Sequence, residues 1–240
     1  MGLKVLSLFD GISCGQIALK RAGIEVEKYF ASEIKKSAIE TTQLHFPNTV
    51  QIGDVTKVWY SNGTLYTEKG NFEIGNIDLL IGGSPCQNFS VARVSMGTKQ
   101  MEGLEGDKSS LFYEYLRLKR QVSPRWFLLE NVKMKKSSEA ELNHFMGTTG
   151  IHINSKLVSF QKRERIYWSN IKGIEQPEDK KISFQDFKDT DAEYCRQFKA
   201  KRTPSRERMW NNGRGRTTSS NCENITHSEK IGCITRKQDR

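Results

Sequence analysis

KVLSLFDGISCG, residues 4–15, joins an apolar run to a glycine-rich turn and the start of a helix. The run has the composition of a strand that is covered on both faces. Gly11 and Gly15 punctuate the turn, and apolar residues then recur at a helical spacing between residues 17 and 22. A strand, a tight turn and a helix form the unit from which parallel sheets are built, so this stretch predicts an α/β fold.

Similar units recur as far as about residue 170. Alternating strands and helices predict a Rossmann-like, doubly wound, mostly parallel sheet whose ligands lie at the carboxyl ends of the strands. Residues 61–76, rich in Gly, Asn and Thr, predict a loop or hairpin inserted into this series. Further strands are predicted near 27–32, 50–52, 77–81, 126–130, 151–159 and 163–170, and helices near 34–46, 109–121 and 138–146.

The pattern changes after about residue 171. Residues 172–240 are polar and irregular, so we predict an α/β domain over 1–171 and a small, irregular C-terminal region over 172–240. Residues 196–240 hold 12 Lys and Arg against 4 Asp and Glu, whereas the whole chain holds 38 against 28. This basic excess suits a polyanion such as nucleic acid, and a solvated basic tail explains the charge equally well.

The five cysteines, at positions 14, 86, 195, 222 and 233, lack the spacing of a metal site. Their odd number and scattered positions do not form a disulfide framework either, so a reducing compartment is expected. No apolar run approaches the length of about 18 residues that a membrane span needs, and the N-terminus has no signal-type segment. We therefore expect a soluble protein with no metal and no membrane partner.

GGSPCQNFS, residues 82–90, places Cys86 directly after a predicted strand. A free cysteine is most often an inert, buried thiol. Here Pro85 fixes the turn and two glycines leave room for a ligand, as around an activated thiolate. Cytosine offers a matching chemistry, because its C5 becomes nucleophilic only after a thiolate adds to C6. The sequence leaves both interpretations open at this point.

Polar and charged residues stand at other predicted strand ends. Glu130 can hydrogen-bond ring N3 of cytosine if it is held protonated, although a Glu-Asn pair is more often a turn or a cap. Gln161, Arg163 and Arg165 are predicted to share one face of a strand, where they suit a phosphate and a base edge unless the strand is merely solvated.

Three acidic residues follow the first three predicted strands, and no GxGxxG or GK[ST] motif accompanies them. Asp10, Glu33 and Asp54 together fit an adenosyl cofactor without a pyrophosphate. Each of them taken alone is more simply explained as a turn or cap residue.

Taken in order, these motifs resemble those of the C5-cytosine DNA methyltransferases over residues 3 to about 170. FDGISCG, SE at 32–33 and GD at 53–54 resemble the cofactor contacts, and GGSPCQNFS resembles the nucleophile loop. ENV at 130–132 and QKRERIYW at 161–168 resemble the later catalytic motifs. GLEGDKSSLFYEYLRL and INSKLVSFQKRERIYWSNI resemble the branch with the de novo eukaryotic enzymes, whereas Gln87 is typical of bacterial and phage members.

The resemblance implies an enzyme that methylates C5 of a cytosine flipped out of double-stranded DNA, with S-adenosyl-L-methionine as cofactor. It implies that Cys86 attacks C6, Glu130 contacts N3 and the exocyclic amine, Asn131 braces the nucleophile loop and Arg165 steadies the flipped base. The implied catalytic set is Pro85, Cys86, Glu130, Asn131, Arg163 and Arg165. The implied cofactor contacts are Phe9, Asp10, Gly11, Ser13, Gly15, Glu33, Ile34, Asp54 and Val55. The implied DNA contacts are Gln87, Ser90, Arg93, Lys99, Gln161, Arg214 and Arg216. The resemblance also implies that residues 1–171 form the S-adenosylmethionine-binding catalytic domain and that residues 172–240 form a small target-recognition region.

The chain departs from the family in one respect. It has no convincing counterpart of the last Gly-Asn-Ser type motif, so either the sequence is truncated or a second chain supplies the missing piece. Two alternatives remain open, namely a non-catalytic DNA-binding or regulatory relative and a tRNA cytosine-C5 methyltransferase. The expected location is the cytoplasm of a bacterial or phage-infected cell, or the nucleus if the source is eukaryotic.

Overall fold

The computed structural model describes residues 2–84, 110–191, 193 and 229–232. The strands of the described residues are β1 (Leu3–Leu8), β2 (Val26–Ser32), β3 (Val50–Gln51), β4 (Trp59–Ser61), β5 (Thr64–Thr67), β6 (Gly70–Glu73), β7 (Leu79–Gly82), β8 (Trp126–Val132), β9 (Ile151–Asn154), β10 (Gln161–Lys162), β11 (Glu164–Ser169) and β12 (Ile231–Gly232). Seven of these strands form the central sheet, in the order β3-β2-β1-β7-β8-β11-β9.

Most pairings in the central sheet are parallel. β1 pairs in parallel with β2 and β7, β2 with β3, and β7 with β8, whereas β11 runs antiparallel to β8. The helices are α1 (Cys14–Arg21), α2 (Lys36–His45), α3 (Ser110–Val122) and α4 (Lys136–Met146). Because α1, α2 and α4 follow β1, β2 and β8, they begin at the carboxyl edge of the sheet. The predicted mostly parallel α/β fold is confirmed.

Side chains of β1 show why helices cover both faces of the sheet. Val5 and Leu6 are adjacent in the strand, so they point to opposite faces, and both are fully buried. Leu6 belongs to the larger core cluster with Phe112 of α3, whereas Val5 belongs to a smaller cluster with Leu19 of α1. The strand is therefore apolar at successive positions, as the sequence required.

The insertion predicted at residues 61–76 forms a small antiparallel sheet. β4 pairs with β5, and β5 pairs with β6. Leu65 of β5 is fully buried in the larger core cluster, so the sheet is anchored to the rest of the fold. The hairpin expected from the turn residues thus gains a third strand.

The segment QKRERIYW is not one strand, which corrects the sequence prediction. β10 pairs with β12 in a separate two-stranded sheet, whereas β11 belongs to the central sheet. Arg163 lies between them, where its N–H donates to Asn154 Oδ1 at 3.1 Å and its carbonyl accepts from the N–H of Ser155 at 3.1 Å. The prediction that Gln161, Arg163 and Arg165 share one face of a continuous strand is therefore wrong.

The chain divides into two compact units. The first comprises Met1–His152 and Arg165–Glu175, and the second comprises Ile153–Glu164 and Gln176–Arg240. Within the second unit, Lys230 Nζ donates to the carbonyls of Lys156 and Ile182, each at 2.7 Å. The domain boundary at residue 171 stays a prediction. None of the described helices is long and apolar enough to cross a membrane.

Candidate active site

The loop after β1 adopts an unusual backbone conformation. Phe9, Gly11 and Ser13 have φ angles of 57°, 62° and 58°, in the left-handed region. That region is uncommon for residues with a side chain, and its use costs about 1–3 kcal/mol at each such residue. A loop with two such residues persists only where its surroundings hold it.

Hydrogen bonds to Asp10 stabilise this loop conformation. Its Oδ1 accepts hydrogen bonds from Ser7 Oγ at 2.6 Å and Tyr29 OH at 2.8 Å, and its Oδ2 accepts one from Ser13 Oγ. Burial raises the pKa of Asp10 above its ordinary value, and the three hydroxyl donors partly oppose this effect. Asp10 therefore organises the loop from within. Its predicted cofactor contact stays a prediction.

Replacing Tyr29 with Phe should destabilise the protein by about 1–3 kcal/mol at neutral pH, because one donor to a buried carboxylate is lost. The pKa of Asp10 is raised in the folded protein, so folding stability falls as pH rises from the ordinary value of 3.8 through the folded value. Losing the Tyr29 hydroxyl raises the pKa of folded Asp10 further, so the fall in stability extends to higher pH. Urea unfolding at pH 4 and pH 7.5 measures the free energy of unfolding of both proteins. An equal loss of stability in Tyr29→Phe at the two pH values would contradict the expectation.

Glu33, directly after β2, ties the same loop to the neighbouring strand. Its Oε2 accepts from the N–H of Gly11 at 2.9 Å, and its Oε1 accepts from the N–H groups of Ile34 and Lys35, each at 2.8 Å. The Ile34 side chain is 75% exposed, and a Cβ added at Gly11 would meet no atom within 4 Å. An acid, an exposed apolar side chain and an open backbone therefore lie together at this edge.

The other predicted cofactor residues, Asp54, Val55 and Gly15, differ in burial and in their contacts. Asp54 caps a short 3₁₀ turn, with Oδ1 accepting from Thr56 N–H and Oγ, each at 2.9 Å, while Oδ2 has no hydrogen-bond partner among the described residues. The Val55 side chain is only 4% exposed and packs in the core. Gly15 packs closely against β7, because a Cβ added at this glycine would overlap Cδ1 of Ile81.

Glu130 and Arg165 form an ion pair across β8 and β11. Arg165 Nε lies 2.6 Å from Glu130 Oε1, and the exposed fractions of the two side chains are 17% and 34% respectively. The antiparallel register fixes this approach, since Arg165 is opposite Val132 and Glu130 is opposite Tyr167. The carboxyl group is thus held by a guanidinium and still accessible to a ligand.

The segment that leads to Cys86 packs against this pair. A Cβ added at Gly83 would lie 3.0 Å from Glu130 Oε2, and one added at Gly82 would lie 2.9 Å from Tyr115 Cδ2. Asn131, which is 1% exposed, donates from Nδ2 to Ser84 Oγ at 3.3 Å. Asn131 therefore contacts the chain two residues before Cys86, and its bracing role stays a prediction.

The remaining predicted site residues belong to the second unit or lie outside the described residues. Gln161 and Arg163 belong to the second unit, whereas Arg165 belongs to the first. Sequence reasoning missed Ser7, Tyr29 and Ser84, and the only signal for them was a polar residue inside or after an apolar strand. Pro85, Cys86, Gln87, Ser90, Arg93, Lys99, Arg214 and Arg216 lie outside the described residues.

Comparisons with known proteins give a consistent result. A family model described as C-5 cytosine-specific DNA methylase matches residues 3–238. The chain is 33% identical over 184 residues to the orphan methyltransferase M.Rho11sI of Bacillus phage rho11s, across 69% of this chain and 32% of that protein. It is 38% identical over 130 residues to the DNA (cytosine-5)-methyltransferase DRM2 of Arabidopsis thaliana, across 52% and 20%.

The structural comparison supports the fold. The crystal structure of a candidate DNA modification methyltransferase encoded within an E. coli prophage aligns with a TM-score of 0.52 and 23% sequence identity. The alignment covers 70% of this chain and 46% of that one. The matched region spans about a third or less of the length of the two curated relatives named above.

Proposed function

Because the chain belongs to the C-5 cytosine-specific DNA methylase family, we propose that it transfers a methyl group from S-adenosylmethionine to C5 of a cytosine in double-stranded DNA. The Glu130–Arg165 pair carries this proposal. It supplies an oriented, accessible carboxyl group next to Gly83, three residues before Cys86. An acid fixed beside a nucleophile loop is the arrangement that addition to a pyrimidine ring needs.

In the proposed reaction the Cys86 thiolate forms a bond to C6 of a flipped cytosine. The electron pair of the C5=C6 bond is then available at C5, and Glu130 favours this change by hydrogen-bonding N3 and the exocyclic amine. C5 takes the methyl group and afterwards loses its proton to a base. The double bond re-forms as the thiolate leaves, so Cys86 is regenerated.

The edge formed by the loop after β1 and the end of β2 fits the cofactor. Bound S-adenosylmethionine would supply an electrophilic methyl group on a sulfonium sulfur, whose bond breaks with the electron pair staying on sulfur. Glu33 has oxygen lone pairs left for ribose hydroxyls, and exposed Ile34 offers an apolar surface to a base. Asp54 Oδ2 can accept from an amino group.

A trapping experiment tests the proposal. With unlabelled S-adenosylmethionine, duplex DNA containing 5-fluorocytosine should form a covalent adduct that survives denaturing electrophoresis, because fluorine at C5 cannot leave as a proton does. With tritiated cofactor, ordinary duplex should become labelled at cytosine. A chain that binds DNA and forms neither product would support a non-catalytic relative instead, and transfer to tRNA in place of DNA would support the tRNA branch.

Replacing Gly83 with Ala should slow methyl transfer by about tenfold or more. The added Cβ would lie 3.0 Å from Glu130 Oε2, so the carboxyl group must move by a few tenths of an ångström beside Arg165, and small displacements at a reacting centre are costly. Cofactor affinity should stay unchanged, since Gly83 lies outside the edge formed by Gly11 and Glu33. Single-turnover kinetics measures the rate of methyl transfer, and calorimetry measures cofactor affinity. An unchanged rate in Gly83→Ala would argue against the role of Glu130.

A further inference from the structure

Three lysines follow β8 within four residues, and we call Lys133, Lys135 and Lys136 the lysine edge. All three are exposed. β8 ends at Val132, which pairs with Arg165 in the antiparallel register. The lysine edge begins at the next residue of the chain. It therefore extends the carboxyl edge of the sheet with positive charge.

Local packing directs these side chains outward. Met134 is 5% exposed and belongs to the larger core cluster, and Lys135 has an extended backbone with φ −64° and ψ 147°. Successive residues of an extended segment point to opposite sides, so burial of Met134 turns Lys133 and Lys135 toward solvent. Lys136 then begins α4.

Lys135 and Lys136, at the N-terminus of α4, do not stabilise this helix. Positive charge at a helix N-terminus opposes the helix dipole, and no side chain caps the first turn of α4. Neither Lys135 nor Lys136 has a carboxylate within ion-pair distance among the described residues. Glu139, the acid of that first turn, lies 2.7 Å from His152 Nε2 instead. The positive charge of Lys135 and Lys136 is therefore locally unfavourable and calls for an external anion.

We propose that the lysine edge binds backbone phosphates of the DNA strand that flanks the flipped cytosine. This inference rests on the proposed function, since it places the DNA backbone beside the Glu130–Arg165 pair. Exposed lysines act as point charges toward phosphate and release counterions on binding. Phosphate contacts fix the register of a duplex without reading its sequence, so the lysine edge positions the substrate rather than selecting it.

The test measures duplex binding against salt concentration for the whole chain. K135Q/K136Q should weaken binding roughly tenfold or more at about 0.1 M salt and reduce the slope of log K against log salt by about 1.8, since each phosphate contact contributes about 0.9. K135R/K136R should bind as the unchanged chain does. The matched control is K20Q/R21Q, which removes the same charge from the exposed end of α1, at the opposite edge of the sheet, and should leave the slope unchanged.

Each other outcome overturns the inference. Equal losses in both glutamine variants would mean a general charge effect, and an unchanged slope in K135Q/K136Q would mean that these lysines meet no phosphate. In either case adduct formation on 5-fluorocytosine duplex by the unchanged chain would leave the proposed function standing. If the unchanged chain neither binds duplex DNA nor forms the adduct, the proposed function fails with the inference.

Discussion

Replacing Cys86 with serine is expected to abolish methyl transfer, with a loss of about 10⁴-fold or more. A serine hydroxyl is a far weaker nucleophile than a thiolate toward C6. Cofactor binding should be nearly unchanged, because the edge formed by Gly11 and Glu33 follows β1 and β2, whereas Cys86 follows β7. Tritium transfer to duplex DNA and calorimetry with S-adenosylmethionine measure the two effects separately.

A matched cysteine variant controls for the loss of a thiol as such. Cys233→Ser makes the same chemical change at a position with no assigned role, and it should retain activity. The adduct with 5-fluorocytosine duplex should also disappear in Cys86→Ser alone. If Cys86→Ser still methylates DNA, the central assignment is wrong, whatever the family membership of the chain.

The fold was readable from the sequence because its signals are local. Residues 4–15 hold a strand, a turn and a helix start in one continuous stretch, and the burial of Val5 and Leu6 on opposite faces explains why the strand is apolar at successive positions. The order of acidic residues after strands was equally readable, since the carboxyl ends of parallel strands meet at one edge. Glu33 is at that edge, bonded to Gly11.

The rest depends on contacts between residues far apart in the chain. The sequence of residues 161–168 favours one continuous strand, but the strand is interrupted at Arg163, because Asn154 and Ser155 hydrogen-bond the Arg163 backbone. The hydrogen bond from Tyr29 to Asp10 joins residues that are 19 positions apart in the chain. The close approach of Gly83 to Glu130 joins residues that are 47 positions apart. Neither hydrophobic periodicity nor composition contains such information, so the strained loop after β1 and the packing of Gly83 against Glu130 emerged only from the structure.

Glu130→Gln should lower the rate of methyl transfer by about 10²- to 10⁴-fold, the range typical for loss of a positioned acid or base. The amide keeps the shape of the side chain but cannot exchange a proton with ring N3. Arg165→Lys should also slow the reaction, because a lysine ammonium does not reproduce the fixed geometry of the guanidinium at 2.6 Å from Glu130 Oε1. Single-turnover rates with saturating cofactor and DNA measure each loss.

The combined variant decides whether the pair acts as a unit. If Arg165 works by holding Glu130, the double variant should lose little more than Glu130→Gln alone, since groups in direct contact are not additive. Glu40→Gln is the matched control, because Glu40 forms an exposed pair with Lys36 at 3.8 Å, and exposed pairs contribute little. Fully additive losses would show that Arg165 contacts the substrate independently, and a near-normal rate for Glu130→Gln would remove the observation on which the proposed function rests.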